Sequence, residues 1–296
     1  MRSSNPIFTR RGFGGSGRPA GPAAERLQPV SAAGAGAAAG APDPSGVPLT
    51  NPYAQSADAQ PVPDARRGSA TMTIDDVVVR TAATLGTVVL TAALSWFLLP
   101  VDAVGVGRAF GIGTGAALVA FVLSMVQTFR RAPAPALILG YAAFEGVFLG
   151  VVSSATSTYI APGVVVQAVL GTMAVFAGVL IAYKRRWIRV TRRFQGFVLG
   201  AATGFLLLMV VDLLFSAFGA GDGLGFDSGV TGVLFGVVGI VLGACFLALD
   251  FKQVEDGIAY GAPREDSWFA AFGLTVTLVW IYLEALRLLS ILRGDN

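Results

Sequence analysis

From about Val77 onward polar residues become scarce, and seven apolar stretches follow one another to the end of the chain. They lie at about 77–99, 107–129, 135–156, 161–183, 195–218, 229–251 and 268–291. Each is long enough to cross a hydrocarbon core, which takes about 20 helical residues. Strands of a membrane barrel would alternate in hydrophobicity over about 10 residues. Runs such as VLTAALSWFLL and VLFGVVGIVLGACFLAL are continuous instead. The pattern predicts an all-α integral membrane protein with seven transmembrane helices.

Residues 1–70 have a different character. They are rich in Gly, Ala, Pro and Ser, as in SAAGAGAAAG, with few aliphatic side chains to bury. Such a segment cannot offset the entropy lost on ordering. It is expected to be a disordered cytoplasmic tail ahead of a seven-helix domain at 71–296, and it has no apolar core of a secretory signal.

Composition sharpens this picture. The chain of 296 residues is 54% hydrophobic and 13% charged, where soluble domains carry about 25% charged residues. It holds no histidine and one cysteine, Cys245. That removes structural zinc sites, Ser-His-Asp and Cys-His nucleophile systems and an internal disulfide. No cofactor is implied, no nucleic acid is an expected partner, and no metal ligand set can be named. The net charge of +3 resides in residues 1–70, where seven Arg face four acids; residues 71–296 carry 14 basic and 14 acidic residues.

Loop cations set the expected orientation, since short loops rich in Lys and Arg stay cytoplasmic. With the tail inside, the inner side collects Arg66, Arg67, Arg130, Arg131, the run from Lys184 to Arg193, Lys252 and Arg264. The outer side collects only Arg108, Arg287 and Arg293, with Asp102, Asp222 and Asp227. The chain is therefore expected in a cytoplasmic (inner) membrane, N-terminus inside and C-terminus outside. The loop YKRRWIRVTRRF holds this topology and is a candidate contact for anionic lipid headgroups.

Glycines recur at four-residue spacing: Gly107, Gly111 and Gly115; Gly146 and Gly150; Gly196, Gly200 and Gly204; Gly232 and Gly236; Gly239 and Gly243. Such stripes let helix backbones approach closely where no hydrophobic force drives association. Packing within the bundle is the default expectation for all of them.

Few ionisable residues lie inside the spans, where a charge costs about 2.5 to 3.5 kcal/mol even on insertion scales. Glu145 is near the middle of helix three, with no basic residue in its span. Asp212 lies toward the outer end of helix five, and Asp250 at the inner end of helix six. Glu284 lies well inside helix seven, where Arg287, three residues on, is placed to neutralise it. Arg80, one turn into helix one, is expected to snorkel to the interface. Carboxylates facing one another in a low-dielectric bundle raise each other's pKa and can share a proton, and hard cations such as Ca2+ favour oxygen ligands. Both point to a cation or proton pathway gated by carboxylate protonation. Lys184 and Lys252, the two lysines, lie in predicted inner loops, so no span offers a Schiff-base amine for a retinal pump. An enzyme is not expected.

The stretches LALDFKQVEDG and AFGLTVTLVWIYLEALRLLSIL resemble the last two helices of the Bax inhibitor-1 family, the transmembrane Bax-inhibitor-motif proteins. EGVFLG in helix three is similar to a Glu-Gly segment of that family, and NPIFTRRGF with the tail resembles its high-GC bacterial branch. The resemblance implies seven helices with the last one central and six around it. It also implies a pH-sensitive Ca2+ leak in which acids on helices six and seven form a proton-sharing pair. Those acids match Asp250 and Glu284; the ionisable residues inside the spans add Glu145 as a pathway acid and Asp212 and Arg287 as secondary candidates. Two departures stand out: the helix-seven acid is Glu, one methylene longer, and GAPRED enlarges the preceding loop. The predicted depths separate the pair, since Glu284 is sixteen residues beyond Trp268, about 24 Å of helix. A helix six that ran on past Asp250 would bring them nearer. A second reading, from a different class, is a non-transporting regulator that binds another membrane protein, such as a protease or stress-response partner.

Overall fold

In a computed structural model, which describes residues 70–99, 101–102, 105–218, 224–226 and 228–294, seven helices run back and forth. They are α1 (Ile74–Leu98), α2 (Val106–Phe129), α3 (Pro135–Tyr159), α4 (Val164–Lys184), α5 (Arg192–Ala217), α6 (Gly229–Ala259) and α7 (Ser267–Gly294). All seven are long and apolar enough to cross a membrane. Residues 1–69 of the expected tail at 1–70, and the loop acids Asp222 and Asp227, lie outside the described residues.

Local chemistry starts and stops the helices. At α1 the Thr73 hydroxyl accepts from the Asp76 amide, and the Asp76 carboxylate accepts from the Thr73 amide at 3.3 Å, a reciprocal capping box. Pro135 occupies the first turn of α3, where its missing N–H costs nothing. Helix α6 runs eight residues past the end predicted from hydropathy, through the polar FKQVEDGIA. It stops where Gly261 takes a left-handed φ of 67° and the amide of Ala262 turns back to the carbonyl of Gly257 at 2.9 Å. That ending is set by backbone geometry and not by loss of apolar character.

The last helix is central, as the resemblance implies. In its span 61% of the most apolar window is buried, against 17% for α1. Helices α1, α3, α4 and α6 all pack directly on α7. The arrangement of six around one needs correcting, because α2 docks chiefly on α3, and α5 chiefly on α6 with Phe205 reaching Trp280. Large apolar side chains point away from the bundle, among them Phe97 and Phe129, both more than four-fifths exposed. In water such a surface would aggregate; in lipid it is the solvated face.

The glycine stripes, equivalent in sequence, divide in two. A Cβ on Gly146 would strike the Thr91 hydroxyl and the Val88 carbonyl, and one on Gly150 would lie 2.7 Å from the Ser95 hydroxyl. These two glycines seat α3 on α1. Gly236, Gly239 and Gly243 do the same for α6 on α7. The stripes of α2 and α5, in contrast, face open space at Gly107, Gly111, Gly115, Gly196, Gly200 and Gly204. The expectation of internal packing fails there because those helices lie at the margin of the bundle.

The GAPRED insertion is a clasp. Thr71 bridges to Pro263, and backbone bonds join Met72 to Ala262 and Arg264 to Ala70. The Arg264 guanidinium meets the Asp76 carboxylate at 2.7 Å. Arg80 reaches the clasp itself: it donates to the carbonyls of Arg264 and Glu265 and lies 5.2 Å over the Trp268 ring.

Candidate functional site

The seam between α6 and α7 carries the two acids of interest, and its register fixes their separation. The helices are antiparallel. Gly236 faces Leu288, Gly239 faces Glu284, Gly243 faces Ile281, and Gly273 faces Asp250. On this register Asp250 lies level with about residue 274 of α7, ten residues short of Glu284. At 1.5 Å per residue that is about 15 Å along the seam. The direct proton-sharing contact that the resemblance implies is therefore not formed in this structure. Helix α6 does continue past Asp250, which narrows the gap from the predicted depths without closing it.

At the first level, Asp250 is half-buried and its Oδ2 accepts a hydrogen bond from the Thr277 hydroxyl at 2.7 Å. Gly273, with no side chain, leaves room for Oδ1. Glu145 comes to this same level from the other flank of α7. Tyr141 of α3 stacks edge-on against Phe272, and Ser153 meets Tyr282. The parallel register of α3 and α7 thus sets Glu145 beside about residue 275.

At the second level, Glu284 is 5% exposed and its Oε2 accepts from Arg287 Nη2 at 2.9 Å. A Cβ on Gly239 would lie 2.7 Å from the Glu284 carboxyl carbon, so the carboxylate occupies space that only glycine leaves. Trp280 donates its indole N–H to the Gly239 carbonyl at 3.1 Å, fixing the same turn of α6. The Arg287 guanidinium also lies 5.1 Å over the Phe235 ring, which stacks on Phe205 and Phe226. Asp212, buried on α5, accepts from the Leu224 amide at 2.6 Å.

Two cavities meet at this level. One of about 560 Å³ is lined by Glu284 and Arg287 with α3 and α5 side chains. Another of about 330 Å³ is lined by Asp212 and Arg287. Both share Leu206, Met209 and Arg287. An acid from α5 and an acid from α7 thus flank one arginine, which puts the two secondary candidates into one setting. Among the described residues no three acidic, Cys or His side chains converge to hold a metal ion.

Sequence reasoning missed Thr277, Gly239, Gly273 and Trp280. Gly239 stood in a four-residue stripe, but which partner the stripe faced was not written in it.

A family model described as Bax inhibitor 1 like matches residues 5–294. No curated protein matches the chain.

Proposed function

The chain belongs to the Bax inhibitor 1 like family of multi-pass membrane proteins, and from that premise we propose that it leaks cations, Ca2+ among them, under control of carboxylate protonation. The observation that carries this reading is the placement of Asp250 and Glu284 on one helix seam, at two levels, with the buried Glu284 lining a cavity between α3, α5 and α7. A charge in that setting is expensive unless it is paired or hydrated, so buried acids mark ion or proton routes. Glu145, at the Asp250 level, is the pathway acid. In this reading Asp250 and Glu284 act as two sensors in series, not as a pair sharing one proton.

In the cell, the clasp and the basic loop between α4 and α5 face the cytoplasm and the C-terminus faces out, in an inner membrane. Trp187, exposed amid that basic loop, supports contact with anionic headgroups. The test is flux from Ca2+-loaded vesicles. Vesicles holding the protein should leak faster than protein-free ones somewhere between about pH 5 and 8. Equal leak across that range defeats the reading.

A further inference from the structure

Asp250, Val254 and Gly257 follow one another at helical spacing along one face of α6. Seven residues separate the first from the last, about 10.5 Å of helix toward the clasp. A Cβ on Gly257 would lie 3.1 Å from the Met72 methyl, so that methyl rests on the α6 backbone there. Met72 is 4% exposed and packs in one apolar cluster with Val77 of α1, Val254 and Ile258 of α6 and Ala270 of α7. On the α6–α7 register Val254 lies level with about residue 270, and the Thr84–Thr275 bond sets Val77 level with about residue 268. The layer therefore lies about one turn nearer the clasp than Asp250. It stands between that carboxylate and the end of the bundle.

Met72 differs from Val77, Val254, Ile258 and Ala270 in how it is held. Those four are carried by helices, whereas Met72 precedes α1 on the short extended strand from Ala70. Two backbone bonds tie that strand to the loop before α7: the Met72 amide donates to the Ala262 carbonyl at 2.9 Å, and the Arg264 amide to the Ala70 carbonyl at 2.8 Å. The side-chain ties are the Asp76–Arg264 pair, whose arginine is 58% exposed, and Arg80 on the loop carbonyls. Ion pairs open to water contribute little each, and a two-strand pairing this short is marginal by itself. Elements held in this way open locally, well below the free energy of global unfolding. Moving the strand away takes Met72 out of the layer and leaves every helix in place. An apolar constriction that loses a wall admits water and ions.

We propose that the Ala70–Met72 strand is a gate, closed in this structure, that separates Asp250 from water at the clasp end of the bundle. Its role in flux rests on the leak reading above; its closure over Asp250 does not, and is tested separately. The test of closure uses the full chain in nanodiscs with Cys245→Ala and Thr277→Cys, which puts one thiol beside Asp250. A cationic methanethiosulfonate should label it slowly, and Met72→Ala should speed labelling roughly 10-fold or more. Met72→Leu, which keeps the volume, should leave it slow. A thiol placed instead by Thr172→Cys, on α4 away from the seam, should react equally fast with and without Met72→Ala. An unchanged rate at position 277, or an equal rise at position 172, overturns the gate. The test of flux uses a reversible lock. Thr71 and Pro263 form the bridge pair that exchanges no backbone bonds, a pairing that sets Cα atoms about 4.5 Å apart, within reach of a disulfide. Oxidised Thr71→Cys/Pro263→Cys, in the Cys245→Ala chain, should leak Ca2+ roughly 10-fold less than its reduced form. Equal leak from the two forms overturns the gate. A chain that leaks in neither form defeats the leak reading, and labelling at position 277 still decides the gate.

Discussion

Gly239→Ala probes the second carboxylate level with a single methyl group. The new Cβ would sit 2.7 Å from Glu284 Cδ and from Oε2, where carbon contacts are favourable at about 3.5–4.0 Å. Neither side has slack. Glu284 is buried and held by Arg287 at 2.9 Å, and the Gly239 backbone is pinned by Trp280. Overpacking of this kind costs about 1–3 kcal/mol. Displacing the carboxylate from its guanidinium adds to that, because a buried charge parted from its partner is poorly solvated. The helix-propensity gain of Ala over Gly, about 1 kcal/mol, offsets part of the loss. A net destabilisation of about 1–3 kcal/mol is expected, read as a lowered unfolding midpoint in detergent. Glu284→Asp withdraws the carboxyl by one methylene, so the double variant Gly239→Ala/Glu284→Asp should regain much of the loss. Gly239→Ala with unchanged stability would refute the packing argument, and so would a double variant that is simply the sum of the two singles.

Other substitutions separate packed from unpacked features. Gly200→Ala on α5 should be neutral or stabilise by about 0.5–1 kcal/mol, since its Cβ meets open space; a clear loss in thermal unfolding would mean that another surface covers the stripe. Gly146→Ala should be strongly destabilising, because the Val88 carbonyl it would strike belongs to a helix backbone. Thr277→Val removes the hydroxyl donor to Asp250 and should cost about 1–3 kcal/mol at neutral pH. The penalty should shrink in acid, where the carboxyl carries its own proton; a pH-independent loss would speak against the bond. At the clasp, Asp76→Ala should cost more than Arg264→Ala, because Asp76 serves both the ion pair and the α1 capping box. A double-mutant cycle should isolate a coupling of about 0.5–1 kcal/mol for this partly exposed pair.

The seven helices were legible because each span is a continuous apolar run, a signal that needs no tertiary information. The end of α6 was not, since hydropathy reports where the membrane stops and a helix can continue beyond it. The informative signal there was Gly261, at the position a helix C-terminus favours. The candidate acids were visible by their rarity inside the spans. Their partners were hidden in the register between helices: Thr277 and Gly239 acquire meaning only once α6 and α7 are aligned. The same limit explains the glycine stripes, identical in spacing yet packed in α3 and α6 and open in α2 and α5.

The central claim is that Asp250 and Glu284 govern a cation leak as two separated carboxylates. It is tested most directly by the pH profile of Ca2+ flux from vesicles carrying Asp250→Asn, Glu284→Gln and the double variant. Sites about 15 Å apart act nearly independently. Each single variant should change the profile in its own way, and the double variant should combine the two changes. If either single variant already gives the whole effect of the double, the two acids behave as one proton-sharing unit, and the two-level account is contradicted.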